Sequence, residues 1–204
     1  MVRTSKKSST RTTFIEDARR RQIIDAARKI FLATGFEKTT IQQIADTIEV
    51  SKGVILYHFG SKSGLGKAVL EETLVTYGEH ISGQLSEVTT ATGKILAFPM
   101  ICAGYFECHQ DEFALYMDAL GSFGEVHEKR NYMAYADGVQ REYLARLITA
   151  AKREGSFKGV NTQALADTIQ AFVDGINSQY CADPEQVRPT ASSQVFQQML
   201  KALA

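Results

Sequence analysis

Apolar residues recur three and four positions apart along almost the whole chain, which is helical spacing. Ile23, Ala27, Ile30 and Phe31 form such a stripe, with Arg19, Arg20, Arg21, Arg28 and Lys29 set among them. They predict a helix that opens near Phe14 and closes at Gly35, a left-handed cap, with Phe36 able to pack back on it. Thr40-Ile41-Gln42-Gln43 has the form of a capping box. The short helix it opens carries a stripe of Ile41, Ile44, Ala45 and Ile48. Glu49-Val50 makes a turn, and Ser51 caps a second short helix through about Tyr57. Gly60-Ser61 breaks the pattern, and Ser61 caps a long helix over about 63–88. Further helices are predicted near 93–109, 112–121, 126–154, 162–181 and 191–203, with stops at Gly121, Gly124, Gly155-Ser156, Pro184 and Pro189. No useful period-2 run is present. The expected fold class is all-α. Residues 1–13, rich in Ser, Thr, Lys and Arg, read as a flexible basic arm. Residues 14–62 form a three-helix helix-turn-helix domain, and residues 63–204 a helical bundle.

Composition narrows the function. Hydrophobic residues make up 44% of the 204 positions, enough for a real core. No apolar run reaches the roughly 18–20 residues of a membrane span, and the basic start lacks the apolar stretch of a signal peptide. The three cysteines, Cys102, Cys108 and Cys181, fit neither a disulfide framework nor a zinc site. The four histidines lack metal-ligand spacing. The reading is a cytoplasmic protein with no membrane association, no metal and no cofactor. The formal charge of zero conceals a division: residues 1–62 carry 12 basic and 6 acidic side chains, and residues 63–204 carry 11 and 17. That split fits an anion-binding head on an acidic body.

Gly60-Ser61-Lys62-Ser63-Gly64-Leu65-Gly66-Lys67 imitates a phosphate loop. However, Ser61 stands where glycine is needed, and Ala68 removes the hydroxyl that would hold Mg²⁺. No nucleophile motif is present, so no catalytic residue is assigned and an enzyme is not expected. The competing reading is an enzyme or carrier on a helical bundle, with the head as a docking module.

In a helix-turn-helix the second helix enters the major groove and reads bases near its N-terminal end. The candidates are Lys52, Gly53, Val54, Tyr57 and His58. Lys52 can donate to guanine or phosphate, Gly53 lets the backbone approach, and Val54 can meet a thymine methyl or join the core. Thr40 and Ser51 put hydroxyls and free amides at helix N-termini, and Lys62 stands at the next one; all three suit phosphate contacts.

Residues 20–67 carry a composite pattern: Ile24-x-Ala26-Ala27-x-x-x-Phe31, Gly35-Phe36, Thr39-Thr40-Ile41-x-x-Ile44-Ala45, Val50-Ser51-Lys52-Gly53 and Tyr57-His58-Phe59-x-Ser61-Lys62. It resembles the DNA-binding domain of the tetracycline-repressor (TetR) family. Ala171-Phe172-Val173-Asp174-Gly175 resembles a phrase common at that family's dimer-forming helices. The resemblance implies a homodimer that binds a palindromic operator in double-stranded DNA. It also implies a repressor released by a small hydrophobic or aromatic effector, with Tyr57 and His58 contacting phosphates. Two departures stand out. Glu49 occupies a turn position that usually carries glycine, and Gly64-Leu65-Gly66 replaces the usual Glu-Glu-Leu, which predicts a loose first turn in the fourth helix.

Nine of the 19 aromatic residues fall within 98–143, among them Tyr132 and Tyr143. Most suit plain core; as a group they suit a ligand cavity. The ligand candidates are Phe98, Cys102, Tyr105, Phe106, His109, Phe113, Tyr116, Met117, Phe123, Met133, Tyr135 and Phe172. Glu107, His109, Asp118, Asn131 and Gln140 could orient a ligand. Cys102 and Cys108 fit buried structural thiols better than redox sensors. The last two helices carry dense apolar stripes, which the resemblance assigns to dimerisation through Ile169, Phe172, Val173, Ile176, Val195, Phe196, Met199 and Leu200.

Overall fold

The computed structural model describes the backbone of residues 6–121 and 126–204 and the side chains of residues 14–115 and 138–204. Among these residues there are nine helices and no strand: α1 Lys6–Thr34, α2 Ile41–Thr47, α3 Lys52–Phe59, α4 Lys62–Ser86, α5 Ala91–Cys108, α6 Gln110–Gly121, α7 Val126–Glu154, α8 Thr162–Ala182 and α9 Pro189–Leu203. The all-α expectation holds, and most helix ends lie within two or three residues of their predicted positions.

The N-terminus differs. α1 begins at Lys6, so residues 6–13 are helical where an arm was expected. The stretch holds no glycine or proline. Once residues 14–34 have formed a helix, each added turn needs no new nucleus.

The chain divides into two compact units. One comprises residues 1–73 with Leu115–Phe123; the other comprises Leu74–Ala114 and Gly124–Ala204. The division between these compact units therefore falls inside α4, between Thr73 and Leu74. The first turns of α4 belong to the head for a packing reason. Leu65 and Val69 are buried, and Gly66 lies so close to the Phe36 ring that a Cβ there would stand 2.5 Å from Cε2.

In the first unit Ile23, Ala27, Phe31, Phe36, Ile44 and Ile55 are buried, with the Phe31 and Phe36 rings 5.0 Å apart. The Thr40 capping box is formed in full: its hydroxyl accepts from the Gln43 amide, and the Gln43 side chain accepts from the Thr40 amide. Ser51 caps α3 by accepting from the Val54 amide, and Ser61 caps α4 by accepting from Gly64. Glu49 adopts φ +54°, a left-handed conformation that glycine takes without strain.

In the second unit a core runs from Tyr77, Ile81 and Leu85 of α4 through Ile95, Phe98 and Cys102 of α5 to Leu144, Ile148, Ile169 and Leu200. Two carboxylates tie helix starts to distant chain. Glu154, at the end of α7, accepts from the amides of Ala91 and Thr92 and from the Thr92 hydroxyl. Glu107 does the same for the amide and hydroxyl of Thr190 at the start of α9. No helix among the described residues is long and apolar enough to cross a membrane.

Candidate functional site

The head presents the N-terminal half of α3 outward. Thr40, Ser51, Lys52 and Gly53 are exposed, and Tyr57 is 77% exposed. Val54 and His58 are half-buried, and Ile55 is the α3 residue that enters the core. The Thr40 and Ser51 hydroxyls are committed to their caps. What they offer an anion is the free amides of the first turn that follows each cap.

Lys62 has a different environment from the one its position suggests. Its ammonium donates to the Glu37 carbonyl at 2.9 Å and lies 4.6 Å from the centre of the Phe36 ring. At least one of its three donors is spent inside the protein.

Arg20, which sequence reasoning did not single out, is the counterpart at the far end of α3. It donates to the His58 carbonyl at 3.2 Å, and its guanidinium stacks 4.5 Å from the Phe59 ring centre. A cation at a helix C-terminus meets the negative end of the peptide dipoles. Thr39 is a second unforeseen element: buried, it donates to the Gly35 carbonyl and shares a hydrogen bond with Thr34. The Arg20 contacts tie the end of α3 to α1, and the Thr39 contacts tie the segment before α2 to the end of α1. They involve residue types that periodicity treats as surface.

The second unit contains a cleft of about 240 Å³. Tyr77, Gly78, Ile81 and Ser82 of α4 line it, with Phe98 of α5 and Val139, Gln140, Tyr143 and Arg146 of α7. Burial raises the Tyr143 hydroxyl above its ordinary pKa, with the Arg146 charge opposing it.

Among the described side chains, Phe98 is the one expected ligand residue that lines this cleft. Tyr105, Phe106, His109 and Phe113 pack on one another instead. The Tyr105 and His109 rings stack at 4.0 Å, Phe106 and Phe113 meet edge-on at 4.9 Å, and His109 Nδ1 lies 2.8 Å from the Tyr105 carbonyl. They form a close-packed aromatic layer and are not among the residues lining this cleft. Cys102 is buried beneath Tyr77, and burial pushes its thiol up to about 12, so at neutral pH it is protonated and inert. Phe172 stacks on Phe196 at 4.1 Å. Glu107, a proposed ligand anchor, is the clamp on Thr190. Tyr116, Met117, Phe123, Met133 and Tyr135 lie outside the described side chains, as do Asp118 and Asn131. Gln140 was anticipated as a polar anchor. The α4 wall was not, because Tyr77 and Ile81 read as core stripe and Gly78 and Ser82 carry no signal of a cavity.

The expected dimer residues also divide. Ile169, Val173 and Leu200 are almost wholly buried within this chain's own core and present nothing to a second copy. Val195 and Met199 are 59% and 60% exposed, and Leu203 of the same helix is 49% exposed. Phe172, Ile176 and Phe196 are half-buried.

The model of the family "Bacterial regulatory proteins, tetR family" matches residues 23–69, which span the helix-turn-helix. HbdR, an HTH-type transcriptional regulator of Aromatoleum sp. (strain CIB), is 39% identical over 158 residues, or 76% of this chain and 67% of that protein. The chain belongs to the TetR family. It is therefore a helix-turn-helix transcriptional regulator, a class of DNA-binding proteins and not of enzymes. The HTH-type transcriptional repressor Rv1474c of Mycobacterium tuberculosis is 42% identical over 55 residues, 27% of this chain and 29% of that one. The fold extends over both units of this TetR-family chain. FadR of Bacillus subtilis, solved in complex with stearoyl-CoA, aligns with a TM-score of 0.72 at 17% identity, covering 90% of this chain and 98% of that one.

Proposed function

We propose that this protein is a homodimeric repressor that binds a palindromic operator through α3 and is released by a small, mainly apolar effector held in the cleft. The observation that carries the reading is the outward face of α3. Lys52, Gly53 and Tyr57 are exposed together at the start of a helix whose other side, through Ile55, is locked into the head. Lys52 is assigned to base edges or phosphate, with Val54 at the margin of the reading surface. Tyr57, His58 and the first-turn amides after Thr40 and Ser51 are assigned to phosphates. Lys62 joins them only by giving up its contact with Glu37, so it ranks behind the others.

An eight-residue reader is short, and two-fold symmetry is the ordinary route by which such a helix gains specificity. The partner face assigned here is Val195, Met199 and Leu203 with Phe172, Ile176 and Phe196. Repression is favoured by the name of the Mycobacterium tuberculosis relative, and an apolar effector by the cleft wall of Tyr77, Ile81, Phe98 and Val139. Effector binding biases α4, whose residues 62–73 belong to the head and 74–86 to the effector unit. By linkage, the effector must bind the DNA-free form more tightly.

The test is selection of duplexes from a random pool by the purified protein, followed by titration at several salt concentrations. A selected palindrome retained against excess competitor DNA is expected. Binding of all duplexes alike by an intact dimer overturns the reading.

A further inference from the structure

Three consecutive arginines stand on α1, and they are not equivalent. Arg19 and Arg21 are exposed, and Arg19 Nη1 donates to the Gln22 side chain at 2.7 Å. Arg20 is half-buried and meets the end of α3. The last carbonyls of a helix have no partner inside it. In α3 the Gly60 amide takes the Leu56 carbonyl and the Ser61 amide takes the Phe59 carbonyl, each at 2.8 Å. The His58 carbonyl receives Arg20 Nη1 at 3.2 Å, while the same guanidinium lies 4.5 Å from the Phe59 ring centre.

That double contact suits a guanidinium and not an ammonium. A flat cation can donate to a carbonyl while its face rests on a ring; a lysine head is a compact charge without a face. The tie falls on the turn of α3 that carries Tyr57, whose side chain is 77% exposed. Base-edge contacts need one orientation of the reading helix, whereas phosphate contacts carry no sequence information. A helix held in that orientation beforehand avoids the cost of being ordered on binding.

We infer that Arg20 is a positioning residue of the reader: by holding the His58 carbonyl and the Phe59 ring it sets the orientation of α3, and so sharpens discrimination between operator and other duplexes. This rests on the reading of α3 as the DNA reader.

Fluorescence anisotropy of the full chain, on the selected duplex and on a scrambled duplex of equal length, tests it at several salt concentrations. Arg20→Lys is expected to bind the selected duplex about tenfold more weakly, the margin of one net hydrogen bond, and the scrambled duplex unchanged. Arg20→Gln should do the same with an unchanged salt slope. Phe59→Leu keeps every cation and removes the ring, so it should also lose discrimination; if neither Arg20 variant folds, it decides alone. Amide exchange in Arg20→Lys should quicken over residues 57–60 and not over 41–47. An Arg20→Lys that binds the selected duplex as the unaltered protein does overturns the inference, because charge then suffices. So does an Arg20→Gln that weakens both duplexes alike and lowers the salt slope by about 0.9, the mark of a direct phosphate contact. Quicker exchange with undiminished discrimination makes Arg20 a structural tie only, and overturns it too. In these three cases the selected duplex still supports the reading of α3. If the unaltered protein selects no duplex, that reading falls and the inference with it.

Discussion

Three residues of the head decide between intrinsic preference and local geometry. Glu49 holds φ +54° in the turn between α2 and α3. A side chain in that region costs roughly 1–2 kcal/mol, and glycine would remove the cost while losing up to about 1 kcal/mol through its freer unfolded state. Glu49→Gly is therefore expected to stabilise the protein by about 0.5–1 kcal/mol, seen as a higher urea midpoint with an unchanged slope. Gly64 and Gly66 point the other way. Helix propensity alone predicts that alanine at either position gains up to about 1 kcal/mol. The structure opposes this. A Cβ on Gly64 would stand 2.1 Å from the Phe59 carbonyl oxygen, and one on Gly66 would stand 2.5 Å from the Phe36 ring. The first obstacle is backbone and cannot rotate away. Gly64→Ala is expected to destabilise by about 1–3 kcal/mol, the usual range for overpacking. Gly66→Ala should cost less, because the obstacle is a side chain, although that ring is held between Phe31 and the Lys62 ammonium. A stabilised Gly64→Ala in urea unfolding would contradict this account. The glycine pair that suggests a loose first turn in sequence is here the condition for packing α4 against Phe59 of α3 and against the Phe36 ring.

At the scale of elements, carboxylate clamps join helices that are far apart in sequence. Glu154 is held below the ordinary carboxylate value because its oxygens accept the Ala91 and Thr92 amides and the Thr92 hydroxyl. A depressed folded-state pKa means that this contribution is fully present above the unfolded value of 4.5 and is lost as pH falls through the folded one. The unaltered protein should therefore exceed Glu154→Gln in stability above about pH 5, and the gap should close on acidification. Urea midpoints of both across that range check it; a gap independent of pH would remove the carboxylate from the explanation. This clamp was not legible in sequence. Local signals were: Thr40, Ser51 and Ser61 cap the helices they were expected to cap, because a cap is a contact within four residues. Helix existence was legible for the same reason, since the apolar stripes of α2 and α8 repeat at 3.6 residues. What periodicity does not carry is which stripe faces which neighbour. Tyr105, Phe106 and Phe113 were expected as cavity lining, and their rings pack on one another. On the α4 wall of the cleft, Tyr77 and Ile81 read as ordinary core stripe, and Gly78 and Ser82 give no signal of a cavity. Ile169, Val173 and Leu200 belong to the inward half of stripes whose outer half is Phe172, Val195 and Met199.

At the scale of the molecule, the proposed dimer would use the +6 of residues 1–62 twice. If one protomer neutralises Z phosphates, the logarithm of its affinity falls with the logarithm of salt at a slope of about −0.9Z, and two joined protomers on a full palindrome double that slope. A substitution that separates the protomers should therefore halve the slope and leave the half-site contacts intact. Met199→Glu suits this purpose. Met199 is 60% exposed in the single chain, so the charge is solvated in a monomer and leaves its fold undisturbed. Buried against a second copy without a partner, the same carboxylate costs several kcal/mol, or on the order of a 10²-fold or greater loss of dimer. Sedimentation at micromolar concentration is expected to find Met199→Glu monomeric with an unchanged helical spectrum. Fluorescence anisotropy on the selected duplex should then give the unaltered protein twice the salt slope of the variant, while both give the same slope on an isolated half-site at concentrations where the unaltered protein is dissociated. A variant that is monomeric yet retains the full slope would mean that one head makes all the phosphate contacts, and the two-fold arrangement of α3 readers would be wrong. A variant that stays dimeric would instead move the partner surface away from Val195, Met199 and Leu203, leaving the assignment of α3 to DNA untouched.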